Sequence, residues 1–119
     1  MAEVDVLTVQ IANGTSLSAE IDIGSKSLVG ILVPTTWTTA GLSFQVSPDG
    51  GTTWGELTTV AGTPYAIGSL TGGTLAYYVA VDPTTLRGAQ ALKVRSGTQA
   101  APVNQVSTVT LQLVTRLAF

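Results

Sequence analysis

The sequence predicts an all-β protein, an antiparallel β-sandwich of about eight strands with a jelly-roll-like arrangement. Apolar and polar residues alternate in several short segments, and this period of two is typical of strands with one buried face. Turn-forming residues separate the segments at short, regular intervals, as in sandwiches and barrels. No segment shows the 3.6-residue apolar period of an amphipathic helix. An eight-stranded closed barrel is the alternative.

The N-terminal part of the chain predicts three strands. The first follows a short acidic lead, and Asn13-Gly14, a strong hairpin dipeptide, ends it. Its inward residues are Leu7, Val9 and Ile11. The second strand should face Leu17, Ala19, Ile21 and Ile23 inward and Ser18, Glu20 and Asp22 outward. The run from Leu28 to Val33 lacks alternation, which predicts a central strand covered on both faces.

A loop with Trp37 leads into a hairpin that spans Leu42 to Leu57. Trp37 lies among small polar residues, and we expect it to cap the core. Apolar residues alternate with polar ones up to Pro48, which cannot donate a ladder hydrogen bond. Asp49-Gly50-Gly51 then supplies an acceptor side chain and two residues that tolerate positive φ. The spacing Ser47-x-Asp49-x-Gly51-x-Thr53-Trp54 resembles the Asp-box of sialidase propellers, but it occurs once, so a structural role is expected.

The C-terminal half predicts a short edge strand at Pro64 to Ile67 and three alternating strands. Their inward residues are Leu75, Tyr77, Val79 and Val81; then Leu92 and Val94; then Val109, Leu111 and Leu113. Between the first two, Asp82 to Gly88 predicts a single helical turn, with Asp82 as N-cap and Pro83 at the first position.

Size and charge indicate one domain, residues 1–119, with part of its surface covered by other chains. The chain has 45% hydrophobic but only 10% charged residues, and depletion of charge is typical of interface cores. A monomer kept soluble by its many hydroxyls is the alternative. The net charge of −2 argues against a nucleic-acid binder. We expect no membrane span and no signal peptide.

The residue inventory predicts no enzyme, cofactor or metal site. Histidine and cysteine are absent, which excludes Ser-His-Asp and Cys-His catalysis and zinc sites that need imidazole or thiolate. Glu20 and Asp22 could form a carboxylate pair about 7 Å apart on one strand, but solvated surface charges are the simpler interpretation. Calcium at the Asp49 turn would have too few carboxylates. Lys93 and Arg95 form an outward pair that could meet Glu20 and Asp22 across strands or subunits.

Taken whole, the chain resembles a set of small structural proteins of tailed bacteriophages. The resembling segments are Ile11–Ser18, Leu28–Ile31, Pro34–Thr38, Leu42–Gly50 and Leu92–Thr98. The resemblance implies a decoration (cement) protein, a jelly roll that sits as a homotrimer on the outer surface of the capsid. Its implied partners are other copies of itself and the major capsid protein, with no nucleic acid and no membrane.

Two functional hypotheses therefore stand beside each other. The first is the virion decoration protein, with these candidate interface residues: Glu3, Asp5, Trp37, Lys93, Arg95, Leu117 and Phe119. The second is a carbohydrate-binding module of a phage head or tail fibre, because aromatic side chains could provide stacking faces for sugars.

Overall fold

The alternating segments form two antiparallel sheets in a computed structural model that describes residues 4–24, 26–73, 75–82, 86 and 89–117. The strands are β1 (Val4–Ile11), β2 (Ile21–Asp22), β3 (Lys26–Val33), β4 (Ala40–Ser47), β5 (Gly55–Glu56), β6 (Ile67–Leu70), β7 (Tyr77–Ala80), β8 (Ala91–Ser96) and β9 (Val109–Leu117). The first sheet has the order β1-β9-β3-β7. The second has the order β2-β8-β4-β5, with β6 also paired to β4.

The strand order is that of a jelly roll once β5 and β6 are counted as one interrupted strand. Both lie antiparallel to β4 on the side away from β8, since Gly55 pairs with Val46 and Ile67 with Leu42. Between β5 and β6 the chain leaves the sheet. The two ends of this excursion are joined by a hydrogen bond from the Tyr65 N–H to the Leu57 carbonyl at 2.9 Å. Eight strands then follow the order 1-8-3-6 in one sheet and 2-7-4-5 in the other, which confirms the predicted sandwich.

The core lies between the two sheets and is built from inward apolar residues of the long strands. Those that are fully buried are Ile11, Leu28, Ile31, Val33, Leu42, Leu92, Val94, Val109, Leu111 and Leu113, with Phe44 at 1% exposure. A register shift against β9 between Leu28 and Gly30 lets Leu28 and Ile31 both face inward despite their odd spacing.

Trp37 caps this core, as predicted. It is 2% exposed, and its indole N–H donates to the Ala40 carbonyl at 3.1 Å. The neighbouring loop is held by the buried amide of Gln105, which accepts from the Thr38 N–H at 2.7 Å and donates to the Ser96 hydroxyl at 2.7 Å. Because both polar atoms of that amide have partners, Gln105 is buried without an unpaired group.

Three predicted boundaries were wrong. β1 begins at Val4 rather than after an acidic lead, and Leu75 is 62% exposed and precedes β7. The predicted second strand is reduced to Ile21–Asp22. The predicted alternation breaks at Ser18, because the buried Ser18 hydroxyl accepts from the Val94 N–H at 2.9 Å.

Two further expectations concern the region after the hairpin and the possibility of a membrane span. The edge strand expected at Pro64 to Ile67 lies at Ile67–Leu70, and the helical turn expected between Asp82 and Gly88 falls mostly outside the described residues. No helix among the described residues is long and apolar enough to cross a membrane.

Candidate functional site

The outer face of the first sheet, called here the open face, brings exposed side chains of several strands together. Strand register places alternate residues of all four strands on it. They are Val4, Val6, Thr8 and Gln10 of β1; Thr110, Gln112, Val114 and Arg116 of β9; Gly30 and Leu32 of β3; and Tyr78 and Ala80 of β7.

Apolar side chains are exposed on the open face to an unusual degree. Val4 is 45% exposed, Val6 55% and Tyr78 57%, and Val114 and Leu32 are half-buried. Val6 pairs with Val114, and Val114 pairs with Gly30, so that one apolar row crosses three strands. Contiguous exposed apolar area of this kind is typical of interaction surfaces.

Tyr78 completes that row because its ring lies across Gly30. A Cβ built on Gly30 would overlap the ring and hydroxyl of Tyr78, so the absence of a side chain at Gly30 is what admits the ring. The aromatic ring thus replaces the missing side chain and joins the apolar row on β3 and β9 to the edge strand β7.

Charge on the open face is confined to one end. Arg116 lies there, paired in register with Val4. An ion pair between Lys26 and Asp5 lies at the same end of the sheet, with side chains 31% and 53% exposed. The centre of the open face therefore offers only apolar groups, hydroxyls and amides.

The outer face of the second sheet, called here the closed face, is by contrast occupied by its own polar network. Arg95, although polar and outward by alternation, is only 6% exposed. Its guanidinium binds both carboxylate oxygens of Glu56, at 2.6 and 2.8 Å. The Glu56 carboxylate also accepts from the Gln45 amide at 2.8 Å, and the Ser43 hydroxyl donates to the Gly97 carbonyl at 2.8 Å.

The electrostatics of the closed face follow from this bidentate pair. The Arg95 guanidinium lowers the pKa of Glu56 through its hydrogen bonds, and Glu56 in turn raises the pKa of Arg95. Beside it, the Lys93 ammonium lies 4.5 Å from the ring centroid of Trp54 in a cation–π contact. Both cations of β8 thus have a partner within the chain: Arg95 binds Glu56 of β5, and Lys93 contacts Trp54, the residue just before β5.

The expected partners of Lys93 and Arg95 were therefore wrong within the chain. Arg95 pairs with Glu56 because the hairpin register sets Glu56 opposite Gln45, one strand away from β8. Glu20 instead places its carboxylate against the backbone of Gly51, 2.6 Å from where a Cβ would sit. The Asp22 carboxylate accepts from the Gly24 N–H at 2.9 Å, so the two acids serve different turns.

The remaining candidate interface residues differ in their exposure and in whether the structure describes them. Asp5 is exposed at the end of β1, but Trp37 lies in the core and presents almost no surface to a partner. Leu117 is the last residue of β9, paired in register with Lys26. The side chain of Leu117, and all of Glu3 and Phe119, lie outside the described residues.

The Asp49 turn forms the predicted hairpin and uses its carboxylate for internal hydrogen bonds. One carboxylate oxygen accepts from the Thr53 N–H at 2.9 Å, the Thr52 N–H at 3.2 Å and the Ser47 hydroxyl at 2.7 Å. These bonds, that from the Thr53 N–H foremost, lower the pKa of Asp49 to about 2. Gly51 adopts φ 107°, a conformation that favours glycine. Within the described residues, no group of three or more acidic side chains could hold a metal ion.

Sequence reasoning missed the open face, although a signal for it was present. Val4 and Val6 alternate with Asp5 and Leu7, but both parities of β1 carry apolar residues, which obscured the strand. The unbroken apolar run of β3 was the clearer signal. It predicted a strand covered on both faces, and the described chain covers the outer face of β3 only in part, with the Tyr78 ring over Gly30 and Leu32 half-buried.

No protein-family model and no curated protein matches the chain in sequence. The functional interpretation therefore depends on the two sheet faces and on the resemblance in the strand and turn segments.

The Arg95–Glu56 pair is predicted to stabilise the fold more than the Lys26–Asp5 pair does. In a double-mutant cycle with Arg95→Gln and Glu56→Gln, we expect a coupling free energy of about 1–2 kcal/mol, because Arg95 is buried while Glu56 is partly screened by water. Urea unfolding measures it. The matched cycle, Lys26→Gln with Asp5→Asn, should give about 0.2–1 kcal/mol. A larger coupling in the exposed pair would contradict the closed-face network.

The Asp49 turn predicts a specific pH dependence. Because folding lowers the pKa of Asp49 from its ordinary value of 3.8 to about 2, the charged carboxylate stabilises the fold above that ordinary value. This stabilisation is lost as pH falls through the folded pKa. Thermal unfolding of wild type and Asp49→Asn should therefore differ at neutral pH and converge between about pH 4 and about pH 2. Asp22→Asn controls for the loss of one negative charge. A difference independent of pH would refute the role of the charge.

Proposed function

We propose that the protein is a virion structural protein, a decoration (cement) protein that binds the outer surface of the major capsid protein lattice as a homotrimer. The observation that carries the proposal is the open face, an exposed and largely uncharged sheet surface on a jelly-roll scaffold. Exposed apolar patches are typical of surfaces that pack against a partner, and an uncharged patch can be buried without leaving a charge unpaired.

The charge distribution supports an assembling role. The chain has five basic and seven acidic residues, and two of its ion pairs, Arg95–Glu56 and Lys26–Asp5, are formed internally. Few charged side chains are therefore left for the rest of the surface. Such a surface can bury area against a neighbour without the desolvation cost of an unpaired charge.

Cementing a shell requires rigidity and many simultaneous weak contacts rather than a titrating catalyst. The jelly roll provides rigidity through its fully buried core. A cyclic trimer placed on a lattice repeats each contact by symmetry, and the linked contacts gain avidity that no single contact has. The trimer and its place on the outside of the head are what the resemblance to phage structural proteins implies, and we propose a non-enzymatic role on the same grounds.

A carbohydrate-binding module is the second candidate, favoured by one observation. Trp54 lies beside Gln45 and Glu56, so an aromatic ring and polar side chains are close together. Against it, Lys93 already lies over the Trp54 ring, and Tyr65 packs on the core residue Phe44 with ring centroids 6.0 Å apart. Trp54 lies next to β5 of the second sheet and Tyr78 lies in β7 of the first, so the two rings do not form a shared stacking platform.

Binding to capsids tests the proposal directly. The purified chain, mixed with expanded empty capsids of the phage that encodes it, is expected to sediment with them. Its mass in solution is expected to be three times the 12.2 kDa chain mass. A monomer that remains in the supernatant would contradict the proposal. If that monomer instead binds an immobilised glycan with a change in tryptophan fluorescence, the carbohydrate-binding function replaces it.

A further inference from the structure

The first sheet ends at β1 in a free edge, because β1 pairs only with β9 within the described residues. We propose that an extended segment of the major capsid protein adds to this edge as a further strand. The inference rests on the proposed function, since it states how the capsid partner would hold the decoration protein. The chemistry of the edge defines its occupant, because a row of unpaired backbone groups is complementary to another extended backbone.

The length and regularity of β1 set it apart from the other edge strands that the structure describes. β2 has two residues, β7 has four, and the edge beside β4 is divided between β5 and β6, with two and four residues. β1 has eight residues, and all eight pair with β9 without a bulge. It contains no proline and no lysine. Short strands, bulges, proline and lysine are the usual protections of an exposed edge, and β1 lacks all four.

One side-chain contact shows which backbone groups of β1 face the free edge. The Thr115 hydroxyl of β9 donates to the Asp5 carbonyl at 3.2 Å, so that carbonyl is directed at β9. In an antiparallel ladder, alternate residues direct both their N–H and C=O groups to the same neighbour. The residues that direct these groups to the free edge are therefore Val4, Val6, Thr8 and Gln10. For Val6 and Thr8, no hydrogen-bond partner of these groups lies among the described residues.

The side chains beside the free edge indicate what kind of segment fits there. Val6 is 55% exposed on the outer side of β1, and Leu7 on the inner side is only half-buried against the core. An added strand would place its own side chains next to both. The only charge of β1, Asp5, lies near one end and forms an ion pair with Lys26. The edge therefore fits an extended, largely uncharged segment with apolar side chains.

The strand lengths favour the capsid protein over a second copy of this chain as the occupant. In a closed three-fold ring, the β1 edge of one copy could meet only a different edge of the next copy. The opposite edge of the same sheet is β7, whose four residues would leave half of β1 unpaired. Pairing of β1 with β1 is two-fold and does not close such a ring. The proposed trimer thus leaves the full edge available to its other partner.

Hydrogen exchange of single amides, measured by mass spectrometry on the full chain, tests the inference. In the free chain we expect the Val6 and Thr8 amides to exchange fast and the Leu7 and Val9 amides slowly, because only the latter pair with β9. Binding to expanded empty capsids should slow the Val6 and Thr8 amides at least tenfold. The fully exposed Val60 in the loop between β5 and β6 is the control position, and its exchange should stay unchanged.

Each other result of this measurement has a definite meaning. If the chain binds capsids while the Val6 and Thr8 amides still exchange fast, the inference is overturned and the proposed function stands. If these amides are already slow in the free chain, a second copy occupies the edge and the inference is overturned. A chain that does not bind capsids at all removes the proposed function, and the inference with it.

A matched pair of variants at Thr8 separates strand addition from simple burial of β1. Thr8→Pro removes the outward N–H, and proline is tolerated in edge strands where that group faces solvent. Thr8→Val removes the hydroxyl but keeps the N–H. We expect Thr8→Val to bind capsids like wild type and Thr8→Pro to bind at least tenfold more weakly, because a ladder hydrogen bond is lost and the ring obstructs the added strand.

Circular dichroism and thermal unfolding establish whether the Thr8 variants are folded. A folded Thr8→Pro chain that binds capsids as tightly as Thr8→Val would overturn the inference. If Thr8→Pro does not fold, the exchange of the wild-type Val6 and Thr8 amides decides the question alone.

Discussion

Burial of the inner faces of β3, β4, β8 and β9 is the constraint on which the rest of the structure depends. Those strands supply most of the fully buried side chains, and each gives one face to the core. Since successive side chains in a strand point to opposite sides, the same alternation that fills the core also fixes the composition of two outer faces. A one-residue slip of register would exchange core and surface along a whole strand.

The two outer faces differ in how far the chain's own groups cover them. On the second sheet, Arg95 and Glu56 form a bidentate pair and the neighbouring serines bond to turns, so the chain closes the face by itself. On the first sheet, Val6, Val114 and Tyr78 leave apolar area in contact with water. The two faces thus differ, because the chain's own polar groups close one of them and apolar area stays exposed on the other.

Much of the fold could be predicted from the sequence because alternation reports directly on burial. Local patterns predict the core residues of β4, β8 and β9 and the turn at Asp49. They do not predict the interruption between β5 and β6, since that depends on how the chain returns to pair with β4. The burial of Arg95 also escaped prediction. The alternation predicts that Arg95 points outward, but it does not distinguish a side chain in solvent from one covered by a salt bridge. Glu56 becomes the partner of Arg95 only through the register of the hairpin.

The sequence contained a signal for the open face in β3, but it did not identify which residues form that face. The apolar run of β3 predicted a strand covered on both faces, but how far the chain itself covers each face is decided by tertiary packing. The described chain places Leu28 and Ile31 in the core and leaves Leu32 on the outer side. A cryo-electron-microscopy reconstruction of the virion tests the central claim most directly. We predict jelly-roll density outside the capsid shell in three-fold clusters. A shell bare of such density, or the density located in the tail, would contradict it.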